Sequence, residues 1–424
     1  MKTLRWTLIL ALAAALGPVL RADTAALEER IRQLEQQLAA QQAVLDQLKA
    51  EVRQQAGGQP QSAAEAVQKE VAKELGTRGL SRIKFSGDSR LRYDSIYYED
   101  EAIADRQGFR LRARVKLETD LGHGVKGVFR LASGMAKAVP GWDFGSDSIS
   151  TNQTFTDSFD GKGIWLDQAY LAWTPPELGR HVTLGGGKFQ NPWISSPMVW
   201  DTDVNPEGFY EQLSFANDTV EVFATLGQTV IREVTDGNDA FMLAYQGGLR
   251  AGAGPWRITG AVCYYDFHNY AANFKYAKGN ITTTVDGVTV LDAGDFDIVD
   301  AVGQVDYTGW RYPVMAYADY AVNVGAEGPH ADENTAWSLG GQVGQNRKTG
   351  QWSLFYRYTR IDANALVGAY VDSDFGNANR KGSQITFKYS FQDRITFGPT
   401  LYITDKVSGS DRWNRLQFNL EASF

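Results

Sequence analysis

The sequence predicts an all-β chain: a transmembrane antiparallel β-barrel of about sixteen strands, preceded by an α-helical coiled coil. Three observations predict it. The period of the apolar residues changes from 3.5 to 2 near residue 82, the strands that follow carry one apolar and one charged face, and the connections between them alternate in length. With 424 residues, 43% of them hydrophobic, the chain is long enough for one large barrel. Its mean hydropathy is -0.33, and no apolar run after residue 20 approaches the ~18 residues of a membrane helix, which excludes a polytopic helical membrane protein. A net charge of -8 offers no global basic field, so a nucleic-acid partner is not expected. Cys263 stands alone, and one thiol builds no intrachain disulfide, Cys-rich zinc site or iron–sulfur cluster.

Residues 1–22 read as a signal peptide, with Lys2 and Arg5 ahead of an apolar stretch from Leu8 to Leu16 that is too short to span a membrane. Residues 23–55 predict a periplasmic coiled coil. Ile31, Leu38, Leu45 and Val52 recur every seven residues, and Leu27, Leu34, Gln41 and Leu48 form the second seam row. Such a seam is not stable alone, so it implies an oligomer, with a homotrimer expected. Residues 56–81 form a linker around Gly57-Gly58-Gln59-Pro60. A short helix follows it, opened by the capping pair Ser62 and Glu65 and carrying Val67, Val71 and Leu75 on one face.

The barrel is expected over 82–424. In 109–120, Phe109, Leu111, Ala113, Val115 and Leu117 alternate with Arg110, Arg112, Arg114, Lys116, Glu118 and Asp120. A strand of that kind needs a greasy exterior and a wet interior. The same template predicts strands near 83–94, 108–120, 125–134, 163–174, 181–189, 208–215, 219–227, 239–251, 256–267, 296–308, 313–323, 335–347, 351–361, 381–391, 394–405 and 411–424. Short connections, such as Leu121-Gly122-His123-Gly124 and Gln392-Asp393, alternate with long ones near 135–162, 190–207, 268–295 and 362–380. Short turns on one side and long loops on the other place both ends of the barrel in the periplasm, which requires an even strand count. A soluble sandwich would not segregate its loops by length. Nor would it need the aromatic residues near strand ends, Tyr93, Phe109, Trp165, Trp173, Trp256, Trp310, Trp352, Trp413 and Phe424, which predict interfacial girdles in contact with outer-membrane lipid.

Several segments resemble a known family. They are Phe85-Ser86-Gly87-Asp88-Ser89-Arg90-Leu91-Arg92-Tyr93, Ser150-Thr151-Asn152-Gln153-Thr154, Ile164-Trp165-Leu166-Asp167-Gln168-Ala169-Tyr170-Leu171, Gly185-Gly186-Gly187-Lys188-Phe189-Gln190-Asn191-Pro192 and Trp200-Asp201-Thr202-Asp203-Val204-Asn205-Pro206-Glu207-Gly208. Together they are similar to the "Putative porin" family of Gram-negative outer membranes. That family is itself similar to the phosphate-selective porins, in which a coiled-coil N-terminus can also precede the barrel. The resemblance implies a passive diffusion channel for small hydrophilic solutes or ions. Phe424, with Phe418 and Leu420 on its face, looks like the signal read by the outer-membrane assembly machinery.

If the charged faces point inward, Lys84, Arg90, Arg92, Arg110, Arg112, Arg114, Lys116 and Arg130 line one wall of the lumen. A ladder of that kind raises the local anion concentration and biases permeation toward anions. The alternative is a set of ordinary solvated charges balanced by Asp88, Asp94, Glu118 and Asp120. From residue 82 onward, 41 acidic residues outnumber 32 basic ones. The loop from Gln190 to Glu207 is expected to fold inward as a constriction, with Trp193, Trp200, Asp201, Asp203 and Glu207 facing the arginine wall; packing outward on the rim is its alternative. Acidic groups at Asp143, Asp147, Asp157 and Asp160, and at Asp292, Asp295 and Asp297, lack calcium-loop spacing and read as solvated loop acids. No cofactor or metal is expected. An outer-membrane hydrolase would need His at membrane level, whereas His123, His181, His268 and His330 fall in predicted turns or loops. An envelope tether, in which the coiled coil links the membrane to cell wall or a partner, is the remaining alternative.

Overall fold

A computed structural model describes residues 82–134, 150–155, 159, 161–235 and 237–424. The expected signal peptide, coiled coil and linker helix lie outside the described residues, as do Asp143, Asp147, Asp157 and Asp160.

Among the described residues, sixteen long antiparallel strands form one closed sheet. They are β1 (Ile83–Tyr98), β2 (Arg106–Gly122), β3 (Val125–Ser133), β5 (Ile164–Trp173), β6 (Val182–Lys188), β7 (Glu207–Ala216), β8 (Val220–Arg232), β9 (Ala240–Ala253) and β10 (Trp256–His268). The sheet continues through β13 (Asp297–Tyr307), β14 (Val314–Asn323), β15 (Thr335–Gly344), β16 (Trp352–Ile361), β17 (Arg380–Gln392), β18 (Ile395–Lys406) and β19 (Arg412–Ser423). Each pairs with the next, and β19 returns to pair with β1 from Asp88↔Ser423 to Tyr98↔Trp413. The sheet therefore has no free edge, which a spanning structure requires, because lipid offers no partner to an unpaired peptide group.

All sixteen predicted strands are present, with ends displaced by a few residues. The sequence pattern did not anticipate the two-residue β4 (Gln153–Thr154) beside β2, the hairpin of β11 (Thr282–Val285) and β12 (Val288–Leu291), or the single helical turn α1 (Tyr270–Asn273). His268 closes β10 rather than lying in a loop, and its Nε2 stands 2.9 Å from Asp266.

The alternation dictates which way each face points. On β2, Phe109 is 57% exposed on the lipid side, while Arg112 and Arg114 turn inward to Asp88. A bulge between Arg130 and Leu131 in the β3–β5 register lets consecutive residues Asp167 and Gln168 both be buried. The turn at His123-Gly124, with φ of 52° and 78°, has the left-handed pair that a two-residue hairpin needs. Two of the expected girdle residues are corrected. Trp413 is buried inside with Arg380 over its ring, and Trp165 lines an inner cavity, so neither side chain reaches lipid.

Within the barrel, the long loops divide the cross-section. Loop 189–206, loop 269–296 and loop 362–379 send Trp193, Met198, Trp200, Leu291, Phe296, Leu366 and Val371 into one apolar cluster. It rests on the inner faces of β9, β10, β13, β14 and β15 through Met242, Tyr265, Ile298, Ala321 and Ala336. Those strands carry no inward guanidinium there, only small, apolar, amide or acidic residues, whereas β1, β2, β3 and β19 present guanidinium groups. The packed loops thus occupy one side of the lumen, and the charged wall keeps the other.

Asn280 ties two of these loops together. Its amide donates to the carbonyls of Ala363 and Leu366, both at 2.7 Å, and its Oδ1 accepts the N–H of Gly368 at 2.8 Å. An Asn280→Ala variant strands three buried backbone groups, at about 1 kcal/mol each. Limited proteolysis of intact cells is expected to cut loop 362–379 in that variant while leaving the native protein uncut.

Candidate functional site: the charged wall and the two loops that face it

The wall is built from strand residues two apart: the inward positions 88, 90, 92 and 94 of β1 and 110, 112, 114 and 116 of β2 all carry a charge. On β1, Arg90 donates to Asn152 at 2.5 Å and lies 3.7 Å from Glu421, and Arg92 reaches Asp374 at 2.8 Å and Asn419 at 2.7 Å. On β2, Arg110 touches Thr154 at 3.3 Å and Asp94 at 3.4 Å, and Arg112 binds Asp88 at 2.8 Å. Arg114 binds Asp88 at 2.8 Å and Asp203 at 3.3 Å. Lys116 sits 3.1 Å from Glu118, and Arg130 on β3 sits 2.5 Å from Asp167. Lys84 is at the short-turn rim, largely exposed, with Glu118 at 3.9 Å.

Loop 189–206 turns inward. Trp193 and Trp200 are buried and stacked 5.9 Å apart, and Asp203 meets Arg114 and the hydroxyl of Thr151. Glu207 is corrected: it is the first residue of β7, paired in register with Lys188 and 2.7 Å from its ammonium, so it stands at a strand end and not in the loop. Phe418, Leu420 and Phe424 are exposed on the outer face, and the main chain of Phe424 exchanges two hydrogen bonds with Gly87.

A second loop, which the sequence pattern left as a simple connection, faces the same wall. Loop 362–379 carries Asp372, which pairs with Arg357, and Asp374, which binds Arg92 and also lies 3.1 Å from Arg415 on β19. Its apolar run Ala363, Ala365, Leu366, Val367 and Val371 was the available signal, because an outward loop would leave those side chains in water. The two loops are joined to each other: Asp201 N–H donates to Tyr370 O at 2.7 Å, and Asp372 N–H donates to Pro197 O at 3.1 Å.

The electrostatics of the loop acids differ sharply. Against the burial that would raise it, Arg92 and Arg415 hold the Asp374 carboxyl well below the usual carboxylate range. Burial pushes the Asp201 carboxyl well above that range, and the charges of Asp372 and Asp203 push the same way. Asp374 is thus a fixed negative charge against the wall. Between loop 189–206 and the ends of β5, β6 and β8 lies a cavity of about 670 Å³, lined by Asp167, Lys188, Trp200, Asp203, Arg232 and Tyr370. Among the described residues, no cluster of three or more His, Cys, Asp and Glu side chains could hold a metal ion.

The family described as "Putative porin" matches residues 100–298 and 270–424, most of the chain. The chain belongs to that family. Its barrel is the barrel of an outer-membrane channel. Among solved structures, this porin is similar to Pseudomonas putida OprB at high pH, with 11% identity, 84% of this chain and 96% of that chain covered, and a TM-score of 0.54. Salmonella typhi OmpF in complex with daunomycin aligns at 10% identity over 81% of this chain and 97% of that chain, with a TM-score of 0.49. At such identities the likeness concerns the fold. No curated protein matches the porin's sequence.

Proposed function

We propose that this porin is a passive diffusion channel for small hydrophilic solutes, that it prefers anions, and that its aqueous path runs along the arginine wall. One observation carries the proposal: guanidinium groups of β1, β2 and β19 stand on one side of the lumen, opposite Asp203 and Asp374 on two inward loops. Opposed charges of this kind set up a field across the adjoining lumen, and a solute passing beside them must orient to it. The unbroken arginine ladder on β2, Arg110, Arg112 and Arg114, supports the anion preference. The heptad pattern of residues 23–55 supports a homotrimer with its coiled coil in the periplasm.

Single-channel recording in a planar bilayer under a KCl gradient tests this. The native channel is expected to show current steps grouped in threes and a reversal potential on the anion side. Arg110, whose ionic contact to Asp94 is a long 3.4 Å, is a weakly compensated charge of the wall. Arg110→Ala is therefore expected to lower the anion-to-cation permeability ratio about two-fold with little change in stability. Stable insertion without conductance would overturn the channel proposal and leave the envelope tether.

A further inference from the structure

The lipid-facing surface of the barrel carries its charged groups at the loop-end rim, with one exception. Among the described strands, outward carboxylate, ammonium and guanidinium groups, such as Asp266, Asp297, Arg360, Lys381, Asp405 and Arg412, lie within two residues of a strand's loop end. Glu211 does not. It is the fifth residue of β7, four residues from the loop end at Glu207 and five from the turn end at Ala216. At a rise of about 3.3 Å per residue and a tilt of about 40°, those intervals are roughly 10 and 13 Å along the membrane normal, the middle of an apolar band about 25 Å tall.

Parity fixes its direction. Tyr210 is buried on the lumen side, whereas Phe209, Leu213 and Phe215 are exposed on the outer face, with Glu211 among them. In register, Glu211 lies opposite Leu184 of β6 and Leu226 of β8. Two residues along β8 from Leu226, on the same face, is Gln228, whose Nε2 donates to Glu211 Oε2 at 3.0 Å. Gln228 in turn lies opposite Phe209 and Leu243. Among the described residues, neither side chain has another hydrogen-bond partner. A polar pair thus stands in an apolar field at mid-membrane height.

Hydrocarbon cannot supply what these two groups lack. In lipid they keep only the bond they make to each other, and each unfilled donor or acceptor costs free energy there. The unfilled set is self-complementary, with an N–H on Gln228 and an oxygen on Glu211. In a ring of copies related by rotation, the Gln228 amide of each copy meets Glu211 of its neighbour, so every copy gives one bond and receives one. The heptad pattern of residues 23–55 calls for such copies independently.

Resting on the homotrimer proposed above, we infer that the outer face of β6, β7 and β8 is the surface by which neighbouring barrels meet, with a second copy of this chain as its occupant. Glu211 and Gln228 are its polar centre, and Leu184, Phe209, Leu213 and Leu226 pack around them.

The test is cross-linking of the full-length protein in outer-membrane fractions with a short bis-maleimide, alongside native mass spectrometry of the detergent-extracted protein. Glu211→Cys is expected to give cross-linked dimers. Ile385→Cys, an outward position in the middle of β17, eight strands around the barrel, is expected to give none. The native protein is the blank, because its Cys263 is buried on the lumen side. Glu211→Leu is expected to lower the trimer fraction about five-fold on dilution in mild detergent, whereas removing a carboxyl that faced lipid would leave that fraction unchanged. A native trimer in which Glu211→Cys does not cross-link, or in which Glu211→Leu leaves the trimer fraction unchanged, overturns this surface while the homotrimer stands. A native protein of monomeric mass overturns the homotrimer, and this surface with it.

Discussion

Arg415→Ala is expected to raise unit conductance about two-fold, to shift the reversal potential toward cations, and to cost about 3 kcal/mol of barrel stability. Arg415 grips Asp94 with two parallel hydrogen bonds, at 2.8 and 2.6 Å, and the same guanidinium reaches Asp374 at 3.1 Å and the carbonyls of Ser373 and Asp374 at 3.4 and 3.3 Å. Removing it leaves two carboxylates facing each other with only Arg92 and Arg110 to share. Breaking a buried pair costs more than making it gains, because the stranded charge has lost its water. Asp374 then keeps one arginine of the wall, Arg92, instead of two, and the segment around it is expected to loosen from the wall. Arg415→Lys retains the charge but not the fork, so it is expected to restore the reversal potential more fully than the stability. Bilayer recording and thermal unfolding in detergent measure both effects. A variant with native conductance and native thermal stability would show that the loop is held elsewhere.

Gly87→Val is expected to reduce folded barrel in the outer membrane at least about ten-fold, as read by heat-shifted mobility of membrane fractions. Gly87 lies where the sheet closes on itself, and its N–H and carbonyl both bond to Phe424, at 3.1 and 3.0 Å. A Cβ placed there would stand 2.4 Å from the carbonyl oxygen of Arg114 and 2.4 Å from the Phe424 ring. The ring can rotate away, but the carbonyl is fixed in the β1–β2 ladder and cannot. Adding Phe424→Ala to Gly87→Val is therefore expected to rescue nothing. Recovery in the double variant would show that the ring alone sets the tolerance at residue 87.

The strands were legible because membrane and lumen impose opposite solvents on alternate residues, and that contrast survives in any one strand. Parity alone identified the inward guanidiniums of β1 and β2, and the alternation of connection lengths identified which end bears the loops. The contents of the lumen were less legible. Loop 189–206 announced itself by Trp193, Trp200 and its acids, but the inward course of loop 362–379 depends on partners as distant in sequence as Asn280 and Arg92. Trp165 and Trp413 misled for a related reason. Position near a strand end suggests a lipid interface, yet an inner-face tryptophan at the same height packs against the loops instead. The Asp167 bulge likewise shifts the parity of β5 in mid-strand, where no periodic template follows it.

The backbone bonds between Asp201 and Tyr370 and between Pro197 and Asp372 give the constriction a mechanical character of its own. With the Ser373 N–H bonded to Asp201 Oδ2 at 3.2 Å as well, two loops separated by some 160 residues of chain are riveted together, and neither can leave the lumen without dragging or breaking with the other. The narrowing therefore has few independent degrees of freedom, and its thermal fluctuations are expected to be two-level rather than graded. In a current record this is telegraph noise, with dwell times set by the joint rupture of these hydrogen bonds, and not a continuous flicker.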